Sequence, residues 1–236
     1  MKNMTPILKR ELGGYFNSPI AYIFITVFLG LSGWLFFKTF FIVGEASLRM
    51  FFGILPWVFL FFIPAITMRL WAEEKKSGTM ELLMTFPVTD AEAVLGKYFA
   101  SLLFLVMSLV LSFIIPIFVA LLGDPDPGQI VGGYVGAVLM GGAFLAIGLF
   151  ISSLTENQIV AFIVSVVFVF GLFILGEDFV LFGIPDWLVP VFSFIGLGGH
   201  YDSISRGVID SRDVIYYVSV IVFFLYLNVK SIEHRK

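Results

Sequence analysis

Apolar residues in this chain come in long runs, near 20–43, 50–68, 98–122, 129–151, 158–176 and 213–230. Each run approaches the roughly 20 residues that a helix needs to cross a hydrocarbon core of about 30 Å. A seventh apolar stretch, 179–199, is interrupted by Pro185, Asp186, Pro190 and a cluster of glycines. Crossing lipid there would leave backbone groups unpaired, so this segment is expected to be a re-entrant or interfacial hairpin. The pattern predicts an all-α integral membrane protein, a single transmembrane domain over 1–236 with six transmembrane helices. One long interval breaks the rhythm: 69–97, RLWAEEKKSGTMELLMTFPVTDAEAVLGK, is rich in charge of both signs where its neighbours have almost none. It must stand in water, and it reads as a contact surface.

Composition agrees. At 59% hydrophobic and 13% charged, with a mean hydropathy of +1.03, the chain lacks the polar surface of a soluble globule, which typically carries about 25% charged residues. The net charge of −3 is small and spread through loops, so nucleic acid is not an expected partner. Absence of cysteine removes disulfides, thiolate metal sites and cysteine nucleophiles. The basic residues set an orientation. With the N-terminus in the cytoplasm, Lys2, Lys9, Arg10, Arg69, Lys75, Lys76, Lys97, Lys230, Arg235 and Lys236 fall inside, leaving only Arg49, Arg206, Arg212 and the membrane-embedded Lys38. The positive-inside rule therefore puts both termini in the cytoplasm.

Local signals refine this outline. Thr5 with Pro6 opens a helix over 3–18, with Leu8, Leu12 and Tyr15 or Phe16 on one face and Lys9 and Arg10 on the other; it is expected to lie in the headgroup plane until Pro19. The first run is too long for a signal-peptide core and no A-x-A site follows it. Lys38 is expected to snorkel towards water, and Pro56 and Pro64 to remove ladder bonds in the second span. Within 69–97, Ser77-Gly78 interrupts the helix leaving the membrane, Thr79 to Thr85 spans about two turns, and Pro87 ends it. Thr89 and Glu92 form a capping box that starts the next helix in water. The apolar Met80, Leu82, Leu83 and Met84 of the short helix fit either a groove on a partner or a bed of headgroups. Gly132 with Gly136, and Gly133, Ala137 and Gly141, repeat four apart and form small faces for close helix contact, within the chain or across a dimer. The polar turn 152–158, with Thr155, Glu156 and Asn157, reads as a second cytoplasmic contact or as a plain connector. Residues 200–206, HYDSISR, read as an interfacial loop, since one histidine and one aspartate are too few to hold a metal.

The chemistry that is missing narrows the function. Gly96-Lys97-Tyr98 lacks the glycine and the hydroxyl of a phosphate-binding loop, and no H-E-x-x-H or G-x-S-x-G occurs. Proton pumps and secondary transporters need ionisable groups at mid-membrane. The six runs are read as free of Asp and Glu, and their polar groups are hydroxyls such as Ser32, Ser101, Ser108 and Ser165. No catalytic or metal site is expected in this chain. Such a protein is passive, or another subunit drives it.

The stretch Glu73-Glu74-Lys75-Lys76-Ser77-Gly78-Thr79-Met80-Glu81-Leu82-Leu83-Met84-Thr85-Phe86-Pro87-Val88 resembles the E-x-x-S-G-T-x-E-x-L-x-x-x-P-[VI] signature of ABC-2 type transporter permeases, and Gly96-Lys97 follows at the usual distance. With GLFISSLTENQIVAF at 148–162 and RGVIDSRDVIYY at 206–217, the likeness is nearest to the permeases associated with gliding motility. The resemblance implies a half-transporter of type V exporter form in a bacterial inner membrane, with an N-terminal elbow helix and a coupling helix at Thr79 to Thr85. It assigns Glu73, Glu74, Ser77, Gly78, Thr79, Glu81, Leu82, Leu83 and Pro87 to the contact with a cytoplasmic ABC ATPase. It further implies two copies of that ATPase, which would carry ATP and Mg, and a second permease protomer, the same or different. The permease itself is then not an enzyme. The alternative role is a non-transporting membrane anchor that passes force to an envelope or motility machine.

Overall fold

In the computed structural model, residues 4–80 and 88–234 are described, and among them there are helices and connectors but no strands. The helices are α1 (Met4–Phe16), α2 (Pro19–Val43), α3 (Arg49–Lys76), α4 (Asp90–Leu111), α5 (Ile114–Leu122), α6 (Pro127–Ser152), α7 (Gln158–Ile174), α8 (Asp178–Leu181), α9 (Val189–Ile195), α10 (Leu197–Ser205) and α11 (Ser211–Glu233). Helices α4 and α5 follow one another through a turn at Ser112 and Phe113, forming one apolar rod over Asp90–Leu122. Five segments are long and apolar enough to cross a membrane: α2, α3, the α4–α5 rod, α6 and α11. Helix α7, at 17 residues, is shorter, about 26 Å at 1.5 Å per residue. This is a multi-pass membrane protein.

Two ends of the bundle can be distinguished. One, called the bracket end after the connection from α3 to α4 at 77–89, carries α1, the segment after Lys76, the turn after Ser152 and the end of α11; the far end carries 44–48, 123–126 and α8 to α10. Helix α6 is the axle, packing against α3, α4, α7, α10 and α11. Its glycines explain how. A Cβ on Gly133 would stand 2.4 Å from the Phe52 ring, one on Gly141 2.5 Å from Leu105, and one on Gly148 2.2 Å from Thr67 Oγ1. On another side, a Cβ on Gly132 would meet the Ile204 carbonyl at 2.4 Å, and one on Gly136 would crowd Tyr201 at 3.3 Å. All these neighbours belong to the same chain, so the small faces are occupied by intramolecular contacts.

Of the two prolines in α3, Pro56 is accommodated by a neighbour. Pro56 has no N–H for the Phe52 carbonyl, and Tyr201 of α10 donates its hydroxyl to that oxygen at 2.9 Å. Nearer the bracket end, Ser152 Oγ accepts from the Trp71 and Ala72 N–H groups, both at 3.2 Å, and donates to the Met68 carbonyl at 3.0 Å. The hydroxyls expected inside the spans are largely turned back on their own helices: Ser32 to Phe28 O at 2.6 Å, Ser108 to Phe104 O at 2.9 Å and Thr67 to Ile63 O at 3.1 Å. These bonds satisfy the hydroxyls without a polar partner or an aqueous path.

At the far end, Gly176 and Gly196 meet backbone to backbone, leaving no room for a Cβ on Gly196. The chain between them leaves and returns to one point, and carries the exposed Phe179, Phe182, Trp187 and Phe194. Two expectations are corrected here. Residues 200–206 are not a loop: Leu197–Ser205 is helical, with Arg206 paired to Asp202 one turn away. The last apolar run is not free of acid either, because Asp213 sits buried in the first turn of α11, where His200 Nδ1 meets it at 2.7 Å. His200 and Asp213 satisfy each other and tie α10 to α11.

Candidate functional site

The site is built where α1, α3 and α4 meet at the bracket end. Helix α1 starts at Met4, with Thr5 and Pro6 inside its first turn, where the missing N–H of Pro6 leaves no bond unmade. Its buried residues are Ile7 and Tyr15, whereas Leu8 and Leu12 are only half-buried. Ile7 lies on Gly96, where a Cβ would come within 2.8 Å of it. Tyr15 stacks on Phe104 at 4.9 Å and donates its hydroxyl to Ser101 Oγ at 3.1 Å, while Ser101 donates to the Lys97 carbonyl at 2.9 Å. Burial pushes the Tyr15 phenol up to about 12, against the opposing pull of the Ser101 hydrogen bond. The apolar stripe read as lipid-facing is thus rotated by one residue and covers the flank of α4.

That docking brings four charges together. Lys97 Nζ lies 2.9 Å from Glu11 Oε1 and 2.9 Å from Glu74 Oε1, and an Arg10 guanidinium nitrogen is 2.7 Å and 2.6 Å from the same two oxygens. Lys97 is 1% exposed, which no isolated ammonium would tolerate; the Trp71 ring also faces it at 4.8 Å. Arg69 stands over the Tyr15 ring at 4.7 Å. Burial raises the Glu11 carboxyl, but the Lys97 charge and the hydrogen bonds from Arg10 and Lys97 outweigh it, so its pKa is held below the ordinary carboxylate value. Above the network opens a cleft of about 390 Å³, lined also by Gly14, Glu73, Ser77 and Thr79.

The start of the bracket is shaped by a helix stop. Ser77 caps α3, Gly78 takes a φ of 70° in the left-handed region, and its N–H bonds the Lys75 carbonyl at 3.1 Å; only glycine adopts that conformation without strain. Ser77 Oγ donates to the Glu73 carbonyl at 2.8 Å and lies 2.9 Å from Thr79 Oγ1. At the other end of the bracket, Thr89 accepts from the Glu92 N–H at 3.2 Å and Glu92 accepts from the Thr89 N–H at 3.2 Å, closing the capping box that starts α4. Met80 packs on the core. Glu81, Leu82, Leu83 and Pro87 lie outside the described residues, and with them the proposed coupling helix beyond Met80.

The turn after α6 adjoins this site. Lys75 Nζ donates to the Ser153 carbonyl, and Ser153 Oγ donates to Ser231 Oγ of α11 at 3.1 Å. Asn157 caps α7 by accepting from the Ile159 N–H at 2.9 Å, and Thr155 Oγ1 accepts from the Asn157 N–H at 3.1 Å. Glu156 and Asn157 are exposed. Gly132 and Gly136 sit towards the far end of α6, away from this cluster, with Gly141 midway along it. Among the described residues no group of three or more His, Asp or Glu side chains could hold a metal ion. The charge cluster joins three helices through paired charges.

The sequence profile of the ABC-2 family transporter proteins matches residues 18–198, about three quarters of the chain. This chain belongs to the ABC-2 transporter family. Comparison with curated proteins finds no match. Family membership makes the chain a membrane permease component of an ABC transporter, a partner of an ABC ATPase. Within the permease, the matched span contains α2 to α9, including the Glu74 and Lys97 half of the network; Arg10 and Glu11 precede it. Sequence reasoning placed Glu73, Glu74, Ser77, Gly78 and Thr79 at the site, and missed Arg10, Glu11 and Lys97. The signal available for these was their charge at the edges of apolar runs, but nothing in spacing pairs residues 86 positions apart.

Proposed function

We propose that the permease is the six-span half of an ATP-driven exporter, lodged in a bacterial inner membrane with its bracket end and both termini in the cytoplasm. The observation that carries the reading is the ion network joining Arg10, Glu11, Glu74 and Lys97 across α1, α3 and α4 directly below the bracket. A push on 77–89 would move three helices as one body, since separating them strips partners from a buried ammonium. In this reading α1 is the elbow, Thr79 to Thr85 the coupling helix, and Thr155, Glu156 and Asn157 a second contact held next to it through Lys75 and Ser153. Two copies of a cytoplasmic ATPase bind ATP and Mg, and a second permease protomer, identical or different, completes the pathway. Coupling requires that the ATPase contact the bracket differently in its ATP-bound and ATP-free states. The kinship to gliding-motility permeases rests on 73–88, 148–162 and 206–217.

The test is co-purification with the ATPase. Glu81→Lys and Leu83→Asp should each abolish it, and with it any stimulated ATP hydrolysis, while the variant permeases elute as folded protein. ATPase retained by both variants would move the docking face elsewhere. A complex that hydrolyses ATP in proteoliposomes without moving any amphiphile would favour a force-transmitting anchor over an exporter.

A further inference from the structure

Away from the bracket, at the far end, two openings share residues and form one amphipathic crevice. The first, about 470 Å³ between α2 and α3, is walled by Phe36, Phe40, Val43 and Ile54. The second, about 480 Å³, reaches under α10 and is lined by Glu177, Asp202, Ser205 and Arg206. Arg49, Gly53 and Trp57 belong to both. Their combined size lies within the range of ligand sites, about 300–1,000 Å³. Val43, Met50 and Trp57 at the mouth are exposed, so the apolar part opens sideways from the bundle.

The charges decide what fits. Arg206 is taken up by Asp202. Arg49 and Glu45 line the same apolar opening, yet neither side chain has a hydrogen bond or ion pair to the other or to any described residue. Two opposite, unpaired charges on the rim of an apolar slot suit a ligand that is itself dipolar at one end and aliphatic at the other. A ligand with a net negative headgroup would face Glu45 and Glu177 as well as Arg49, and would bind less well.

We propose that this crevice binds a zwitterionic phospholipid from the leaflet at the far end, with the phosphate on Arg49, the headgroup cation beside Glu45, and an acyl chain along Phe36, Phe40 and Ile54. The site is independent of whether the permease moves that lipid, and stands if the transport reading fails. Gly53 supplies a means of testing it without disturbing the fold, because a Cβ there meets no atom within 4 Å and a larger side chain would project into the crevice.

The experiment is native mass spectrometry of the purified permease after reconstitution in an equimolar mixture of phosphatidylethanolamine and phosphatidylglycerol. The wild-type chain should retain phosphatidylethanolamine in preference, Gly53→Leu should lower that retention about tenfold, and Glu45→Gln should abolish the preference between headgroups. Arg212→Gln, on a separate groove beside α11, should change nothing. Preference for phosphatidylglycerol, or equal retention of phosphatidylethanolamine by Gly53→Leu and wild type, would overturn the proposal.

Discussion

Lys97 is the residue on which the bracket end turns. In the sequence it is visible as the last cation of the charged interval 69–97, counted towards orientation, and as part of the Gly96-Lys97 pair that follows the signature at 73–88. In the fold it lies about one-third of the way along α4, buried, with Glu11, Glu74 and the Trp71 ring around it. Replacement by methionine keeps the volume but leaves two carboxylates facing each other without their buried partner, a loss of about 3–5 kcal/mol for a pair of this kind. Lys97→Met should therefore lower the melting temperature in detergent, and Glu11→Gln in the same chain should restore part of the loss. Additive losses would mean that the two side chains do not interact. Glu11 also predicts an acid response. Because its folded pKa lies below the ordinary value of 4.5, its stabilising contribution is full above that value and is lost as pH falls through the lowered one. Melting temperature should thus be level in this respect from pH 8 to 6 and drop more steeply for wild type than for Glu11→Gln below about pH 4.5.

At the level of elements, the pattern in the sequence was informative where it was local. The Thr89–Glu92 box, the Ser77-Gly78 stop and the apolar runs each act within a few residues, and each recurs as a cap, a left-handed turn or a helix. What spacing left open was which surface each small face meets, because that depends on residues 36 to 81 positions away. Helix α6 answers with internal neighbours, most tightly at Gly148 against Thr67. Gly148→Ala should destabilise the protein, since that Cβ would overlap a hydroxyl already donated to Ile63, and Thr67→Ala should relieve part of the damage. Gly171→Ala, with open space around it, should instead be neutral or stabilise by up to about 1 kcal/mol through helix propensity. Thermal unfolding of the three variants separates these outcomes. The face of α1 was missed for a similar reason: Leu8 and Ile7 are equally apolar, and only Gly96 on α4 makes room for the latter.

Across the whole molecule, the two ends have opposite characters. The bracket end gathers buried charge into a joint between α1, α3 and α4, while the far end carries short turns, the exposed aromatic residues between Gly176 and Gly196, and the amphipathic crevice beside Arg49. Between them, hydroxyls such as Ser32, Thr67 and Ser108 bond carbonyls of their own helices. In the proposed reading, energy enters through the bracket from a cytoplasmic ATPase. Cysteine is absent from the chain, so a single introduced thiol reports cleanly on this claim. The direct measurement is labelling of Leu83→Cys by a membrane-impermeant maleimide. The account predicts modification only from the cytoplasmic face and protection when the ATPase is added; modification from the opposite face, or no protection by the ATPase, would contradict it.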